Sequence, residues 1–279
     1  MDQRLLLLLG ALAMIPAYAE IKIHGHRGAR AVLPENTLPA FEHAIEAGAD
    51  ALELDLAVTL DNDLVVSHDP VLNPTICRSP GGSSVIRELT LGQLRRWDCG
   101  ALQNPEFPRQ KSVPGARIPT LDEVLALAPR GDFLFNIETK ISPEKPQFTP
   151  PPEEFARLVL EAVRRRGLVS RVMLQSFDFR TLHAMRRLAP EIPLAALYGR
   201  GGRDLVSVAR EAGAGIIAPH YSLVTPEKVK AAHRNGLQVV PWTANDEEVW
   251  ATLVAAGVDA IITDDPAGLI GYLRRRGLR

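Results

Sequence analysis

In ALELDLAVTLDNDLVVSHDP, residues 51–70, leucine alternates with carboxylate before a polar turn sends the chain back. Residues two apart on a strand share a face, so Glu53 and Asp55 project together while Leu52, Leu54 and Leu56 face the other way. Strands flanked by helical patterns in α/β proteins run through the interior; an exposed edge strand whose acids meet water is the alternative. Inside, two adjacent carboxylates repel each other unless a cation sits between them. Oxygen-only ligation suits Mg²⁺ or Ca²⁺, and the shortage of Cys near these acids argues against a structural zinc. Residues 64–67 follow the polar turn Asp61, Asn62, Asp63 too closely to be a parallel neighbour, which needs a crossover of a dozen or more residues. They read as a hairpin return.

Outward from this segment, short apolar runs alternate with helical patterns, the signature of a parallel sheet. Strand-like runs centre on 21–25, 51–58, 64–67, 133–138, 172–175, 194–198, 215–219, 237–242 and 259–263. Helices are expected over 37–47, 120–128, 153–166, 179–188, 202–212, 226–235 and 246–256, many of them followed by glycine at the C-cap, as at Gly48, Gly167, Gly213, Gly236 and Gly257. Setting the hairpin return aside leaves eight strands in a mature chain of roughly 250 residues, the count and size of a (β/α)₈ TIM barrel. A doubly wound open sheet is the alternative, weakened by the lack of a Gly-rich dinucleotide fingerprint after the first strand. From 69 to 119 the periods break down, apart from the helical phrase LTLGQLRRWD at 89–98, and this region reads as an insertion. A second, Pro-rich break, PEKPQFTPPPEEF at 143–155, lengthens the loop after the strand that ends near Lys140.

The 279 residues fit one large domain, 20–279, and carry 32 basic and 33 acidic side chains. That balance gives no net field to draw nucleic acid or an anionic membrane. The N-terminus, MDQRLLLLLGALAMIPAYAE, places Arg4 before an apolar run and then the A-x-A-like site Ala17, Tyr18, Ala19, which predicts a signal peptide, 1–19, cleaved after Ala19. The run is short for a membrane span, so a periplasmic or secreted protein is expected. In that oxidising setting Cys77 and Cys99, the two cysteines of the chain, favour a disulfide closing the 69–119 excursion, with two buried thiols as the alternative.

A second acidic strand, FLFNIETK at 133–140, sets Glu138 and Lys140 on one face near its C-terminal end, the catalytic rim of a barrel. Glu138 can complete a carboxylate triad with Glu53 and Asp55, and Lys140 offers a cation to a phosphate oxygen; a plain Glu–Lys ion pair is the bland reading. His26 ends the first strand and His68 ends the hairpin return. Two histidines flanking a cation suit general acid and base work near neutral pH. His24, His43, His183, His220 and His233 read as packed or solvated. Arg27 supplies a planar fork for phosphate, Gly28 lets the backbone turn, and Glu35 stands ready to brace Arg27 or the metal. Asn36 and Thr37 are sufficiently explained as an N-cap.

The ordered set HRG at 26–28, PENT at 34–37, ELD at 53–55, HD at 68–69 and IETK at 137–140 resembles the glycerophosphodiester phosphodiesterase family over nearly the whole mature chain. QSF at 175–177, PWTAN at 241–245 and ITDDP at 262–266 match in kind, and the cysteine-bearing region resembles the longer insertion of some exported bacterial members. The resemblance implies a (β/α)₈ barrel holding one divalent cation, Ca²⁺ or Mg²⁺, on Glu53, Asp55 and Glu138. It implies His26 and His68 as the acid/base pair and Arg27 and Lys140 as phosphate ligands. Trp242 either stacks on the glycerol part or fills the barrel mouth. The implied reaction is hydrolysis of a glycerophosphodiester to sn-glycerol 3-phosphate and an alcohol. A lysophospholipase D acting on lipid diesters, or a binding protein for phosphorylated ligands, are the rivals.

Overall fold

The computed structural model describes residues 20–279, so the expected signal peptide lies outside the described residues. The strands are β1 (Lys22–Gly25), β2 (Ala51–Val58), β3 (Leu64–Val66), β4 (Leu134–Thr139), β5 (Val172–Ser176), β6 (Leu194–Tyr198), β7 (Ile216–Pro219), β8 (Gln238–Val239) and β9 (Ala260–Thr263). The α-helices are α1 (Leu38–Ala47), α2 (Leu91–Leu94), α3 (Leu121–Leu125), α4 (Pro152–Arg165), α5 (Phe179–Leu188), α6 (Leu205–Ala212), α7 (Pro226–Arg234), α8 (Glu247–Ala256) and α9 (Pro266–Arg275). Eight strands pair in parallel in the order β8-β7-β6-β5-β4-β2-β1-β9. Main-chain bonds from Asp259 N to Val239 O, Ile262 N to Pro241 O and Ala244 N to Ile262 O join β9 to the segment that continues β8 and complete the ring. The eight-stranded barrel is thus formed, and the open-sheet alternative falls. The hairpin return is β3, antiparallel to β2 with Ala57 opposite Val65.

Burial on both sides explains the near-continuous apolar strands. Outward residues such as Leu52, Leu54, Ile137, Leu174 and Ile261 join the helices in the main core. Inside the barrel, Met173, Ala195, Ile216, Val240, Ala260 and Ile262 form a small apolar plug. Beside it runs a polar chain. Asn136 Nδ2 lies 3.3 Å from His24 Nδ1 and donates to Gln175 Oε1 at 3.0 Å, and Gln175 Nε2 donates to Glu53 Oε1 at 2.9 Å. His24 is accordingly a packed interior histidine.

The segment 69–119 carries no strand but does carry a core. Leu72, Cys77, Ile86, Leu89, Leu94, Trp97, Cys99 and Ile118 pack with Ala57 and Val65 of the hairpin, and Cys77 and Cys99 are disulfide-bonded. A capping box of Thr90 and Gln93 starts the one-turn helix α2. The segment also grips the β1–α1 loop: Lys111 N donates to Val32 O at 2.8 Å, and Gln110 Nε2 to Arg30 O at 2.7 Å.

Three expectations change. The helix expected over 120–128 is α3 followed by a 3₁₀ turn, Ala128–Arg130, because Pro129 removes a donor that a longer helix requires. The strand expected over 237–242 keeps ladder pairing only at 238–239. Helix α9 escaped the reading because Gly268 and Gly271 interrupt its apolar period, although Asp265 and Pro266 mark its start: Asp265 Oδ1 accepts from Gly268 N at 2.8 Å.

Burial pushes the His24 imidazole down to about 4. Because this folded value lies below that of an unfolded histidine, its stabilising contribution is complete above pH 6.5 and is lost as pH falls toward 4. Chemical denaturation across that window is expected to show His24→Gln losing about 3 kcal/mol less stability than the wild type. Replacing Cys77 and Cys99 together by serine is expected to cost about 2–4 kcal/mol in the same measurement, since the crosslink restricts the unfolded chain.

Candidate active site

The parallel register sets Asp55 of β2 beside Glu138 of β4, with Glu53 one inward position below. All three are buried, Glu53 and Asp55 each 1% exposed, and one carboxylate oxygen from each lies within 4.8 Å of the others. Burial, then the charges of Asp55 and Glu138, pushes Glu53 well above the usual carboxylate range. Glu138 is likewise raised by burial and by Asp55, against the pull of Lys140. Burial opposes ionisation of Asp55 too, but Arg27, His68 and Lys140 hold it below its ordinary value. Asp55 Oδ1 has no hydrogen-bond partner. Three crowded, dry carboxylates with an orphaned oxygen form a donor set that fits a hard divalent cation.

The β1–α1 loop wraps this triad. Arg27 takes a left-handed backbone conformation, φ 51°, which directs its own N–H to Glu53 Oε2 at 2.9 Å. Its guanidinium bonds Glu35 Oε1 at 2.7 Å and passes 3.3 Å from Asp55 Oδ2. Glu35 therefore braces Arg27. Gly28 follows with φ 86°, and a Cβ there would sit 2.6 Å from the Ala40 carbonyl carbon of α1, so only glycine permits this approach.

The N-cap explanation of Asn36 and Thr37 is corrected. Thr37 occupies the cap position, yet its hydroxyl donates to Pro34 O at 2.6 Å and caps nothing. Asn36, left-handed at φ 56°, donates from Nδ2 to Asp55 Oδ2 at 3.0 Å. A non-glycine residue held in that region costs about 1 kcal/mol, which the bond to a buried carboxylate offsets.

His26 and His68 stand on opposite sides with matching support. His26 Nδ1 lies 2.5 Å from Asp264 Oδ1, leaving Nε2 4.0 Å from Glu53 Oε2. Burial lowers the imidazole's pKa, and Asp264 counters it. Asp264 is itself held by Asn245 Nδ2 at 2.6 Å. His68, half-buried, has Nδ1 2.9 Å from Asp69 Oδ1 and Nε2 3.0 Å from Lys140 Nζ. Lys140 in turn pairs with Glu138 Oε1 at 2.9 Å. A cavity of about 350 Å³ opens above these groups, walled on the far side by Trp242, Phe177 and Leu197. Trp242 donates Nε1–H to Ala218 O at 2.8 Å and meets Phe177 edge-on at 5.4 Å.

Every site residue expected from sequence thus borders one cavity or the carboxylates beneath it. Asp264, Asn36, Gln175 and Arg30 also belong there and had not been singled out as site residues. Alternation carried a signal for two of them: Asp264 extends the inward series Ala260, Ile262, and Gln175 follows Met173 by two. Nothing local marks Asn36, whose partner Asp55 lies on β2, or Arg30, which joins nearby Glu35 to Asp264 at the other end of the chain.

Residues 26–268 match the model of the glycerophosphoryl diester phosphodiesterase family. A glycerophosphodiester phosphodiesterase of Caldanaerobacter subterraneus subsp. tengcongensis is 35% identical over 252 residues, covering 90% of this chain and 97% of its own. The solved structure of a Silicibacter pomeroyi DSS-3 protein superposes with a TM-score of 0.86 at 33% identity, covering 92% of this chain and 94% of that one. An Oleispira antarctica phosphodiesterase, solved with its product sn-glycerol-3-phosphate, shares the fold with a TM-score of 0.77 at 23% identity, covering 92% of this chain and 99% of that one. With the barrel, the carboxylate triad and these similarities in place, the chain belongs to the glycerophosphoryl diester phosphodiesterase family of hydrolases.

Proposed function

We propose that this enzyme cleaves small glycerophosphodiesters to sn-glycerol 3-phosphate and an alcohol, using His26 and His68 as its acid/base pair and a Ca²⁺ or Mg²⁺ ion held by Glu53, Asp55 and Glu138. The observation that carries the reading is the matched pair of imidazoles, each fixed at Nδ1 by a carboxylate, on either side of the triad. A carboxylate at Nδ1 sets the tautomer and ring orientation and leaves Nε2 for proton transfer.

Arg27 and Lys140 bind the phosphate oxygens, the guanidinium as a fork and the ammonium as a point charge. When a phosphate oxygen takes over the Lys140 ammonium, His68 Nε2 is released to carry a proton. One histidine takes the proton of the attacking hydroxyl, and the other protonates the alkoxide as the phosphorus–oxygen bond breaks. The attacker is water, or the neighbouring glycerol hydroxyl followed by water; both routes use the same pair. The divalent cation, when bound, neutralises charge on the phosphate oxygens. Trp242 and Phe177 offer an aromatic wall to the glycerol part.

Small soluble diesters fit better than lipids. Ile86 and Trp97, apolar residues of the 69–119 segment that a lipid rim would need, are spent in the segment's own core. Among the described residues no helix is long and apolar enough to cross a membrane. The Cys77–Cys99 disulfide supports export through the signal peptide at 1–19.

Release of glycerol 3-phosphate from glycerophosphocholine and its glycerol and ethanolamine counterparts, assayed with EDTA and then with Ca²⁺ or Mg²⁺ restored, tests this. Metal-dependent release is expected; silence from folded, metal-replete enzyme on every small diester would overturn the reading. His68→Ala is expected to abolish turnover, a loss of about 10²–10⁴-fold or more, with little change in Tm. Ca²⁺ or Mg²⁺ added to EDTA-stripped protein is expected to raise Tm. Asn36→Ala is expected to weaken that metal affinity about 10–100-fold by freeing Asp55, and Glu53→Gln to weaken it further.

A further inference from the structure

A second cavity, of about 140 Å³, adjoins the first and shares His68 and Lys140 with it, whereas His26 borders the larger one alone. Its remaining wall is formed chiefly by Pro70, Ile141, Lys145, Phe148 and Thr149, so the two breaks in the barrel pattern, 69–119 and 143–155, meet around it. The 3₁₀ turn Pro146–Phe148 rests on the turn Ile86–Glu88 of the 69–119 segment. The lining is mainly apolar, and the buried Thr149 Oγ1 has no hydrogen-bond partner.

Its charges disfavour a cationic guest. An aromatic face attracts a quaternary ammonium, but Lys145 Nζ already stands 5.8 Å from the Phe148 ring centroid. Lys140, although paired with Glu138, adds a second ammonium to the lining, against the one lining carboxylate, Asp69, which His68 Nδ1 engages.

We propose that this cavity receives the leaving alcohol, that His68 is the group that protonates it, and that an uncharged alcohol of glycerol size is preferred to choline. The proposal rests on the phosphodiesterase reading of the same site. The phosphorus–oxygen bond to that alcohol breaks with its electron pair on the alkoxide, His68 Nε2 supplies the proton, and His26 takes the proton of the attacking hydroxyl.

The test is kcat/KM for glycerol 3-phosphate release from glycerophosphoglycerol, glycerophosphocholine and glycerophosphomethanol, by the metal-replete wild type, Lys145→Glu and Ile141→Trp. The wild type is expected to favour the glycerol diester over the choline diester about tenfold or more, and Lys145→Glu to move that ratio toward choline by a similar factor. Ile141→Trp fills the cavity and is expected to lower kcat/KM on the glycerol diester about tenfold more than on the methyl diester, which needs no cavity. Lys145 is exposed, so its substitution reports even if Ile141→Trp misfolds. Ratios within about twofold of wild type in folded Lys145→Glu and Ile141→Trp, with glycerol 3-phosphate still released, would overturn the subsite and leave the phosphodiesterase reading standing. No release from any diester by the wild type would overturn both.

Discussion

The mutual repulsion of Glu53, Asp55 and Glu138, buried within 4.8 Å of one another, governs the arrangement of the barrel mouth. Dry carboxylates this close cannot all ionise without opposing charge, and each neighbour supplies part of it. Arg27 lends its guanidinium to Asp55 and its main-chain N–H to Glu53, Lys140 pairs with Glu138, and the amides of Asn36 and Gln175 take one oxygen each. Two fixed cations against three carboxylates leave the compensation incomplete. The Asp55 oxygen without a hydrogen-bond partner is where that shortfall is visible, and the triad has the donor set to hold a divalent ion that would make it up.

The same shortfall explains why the surroundings are so densely bonded to the acids. Buried charge tolerates little slack, because losing one partner exposes the full desolvation cost of the other. The left-handed conformations of Arg27 and Asn36 are held by bonds to the acids, and the loop that carries them is fastened from outside by Gln110 and Lys111. The segment that reads as an insertion thereby supports the side of the site formed by the β1–α1 loop. It has a disulfide and a core of its own, which lets it act as a fixed clamp.

On the opposite side, the hairpin return brings His68 to the rim, and the loop after β4 comes down beside it to shape the smaller cavity. The two histidines are supported by carboxylates of very different origin. Asp264 closes the last strand, while Asp69 follows His68 directly. One site thus draws its two imidazole–carboxylate pairs from the first and last turns of the ring and from an excursion after the second strand, a construction that barrel loops permit because the strand ends all converge on one face.

The alternation in 51–58, the short return at 64–66 and the repeated helix patterns by themselves determined the strand count and which faces point inward, because side-chain periodicity is a local property of the backbone. From the same periodicity, Glu53 and Asp55 shared a face, as did Glu138 and Lys140. Local pattern failed where tertiary context overrode it. Gly268 and Gly271 hid α9, and Asn36 read as an ordinary cap when its amide in fact serves Asp55 on β2. Only the closed ring set Asp264 against His26, 238 residues away, linked Gln175 to Glu53, and made one cavity wall from Phe148 and His68. These are contacts between chain segments whose proximity depends on strand order and register, quantities fixed by packing across the whole barrel and carried by no single stretch of sequence.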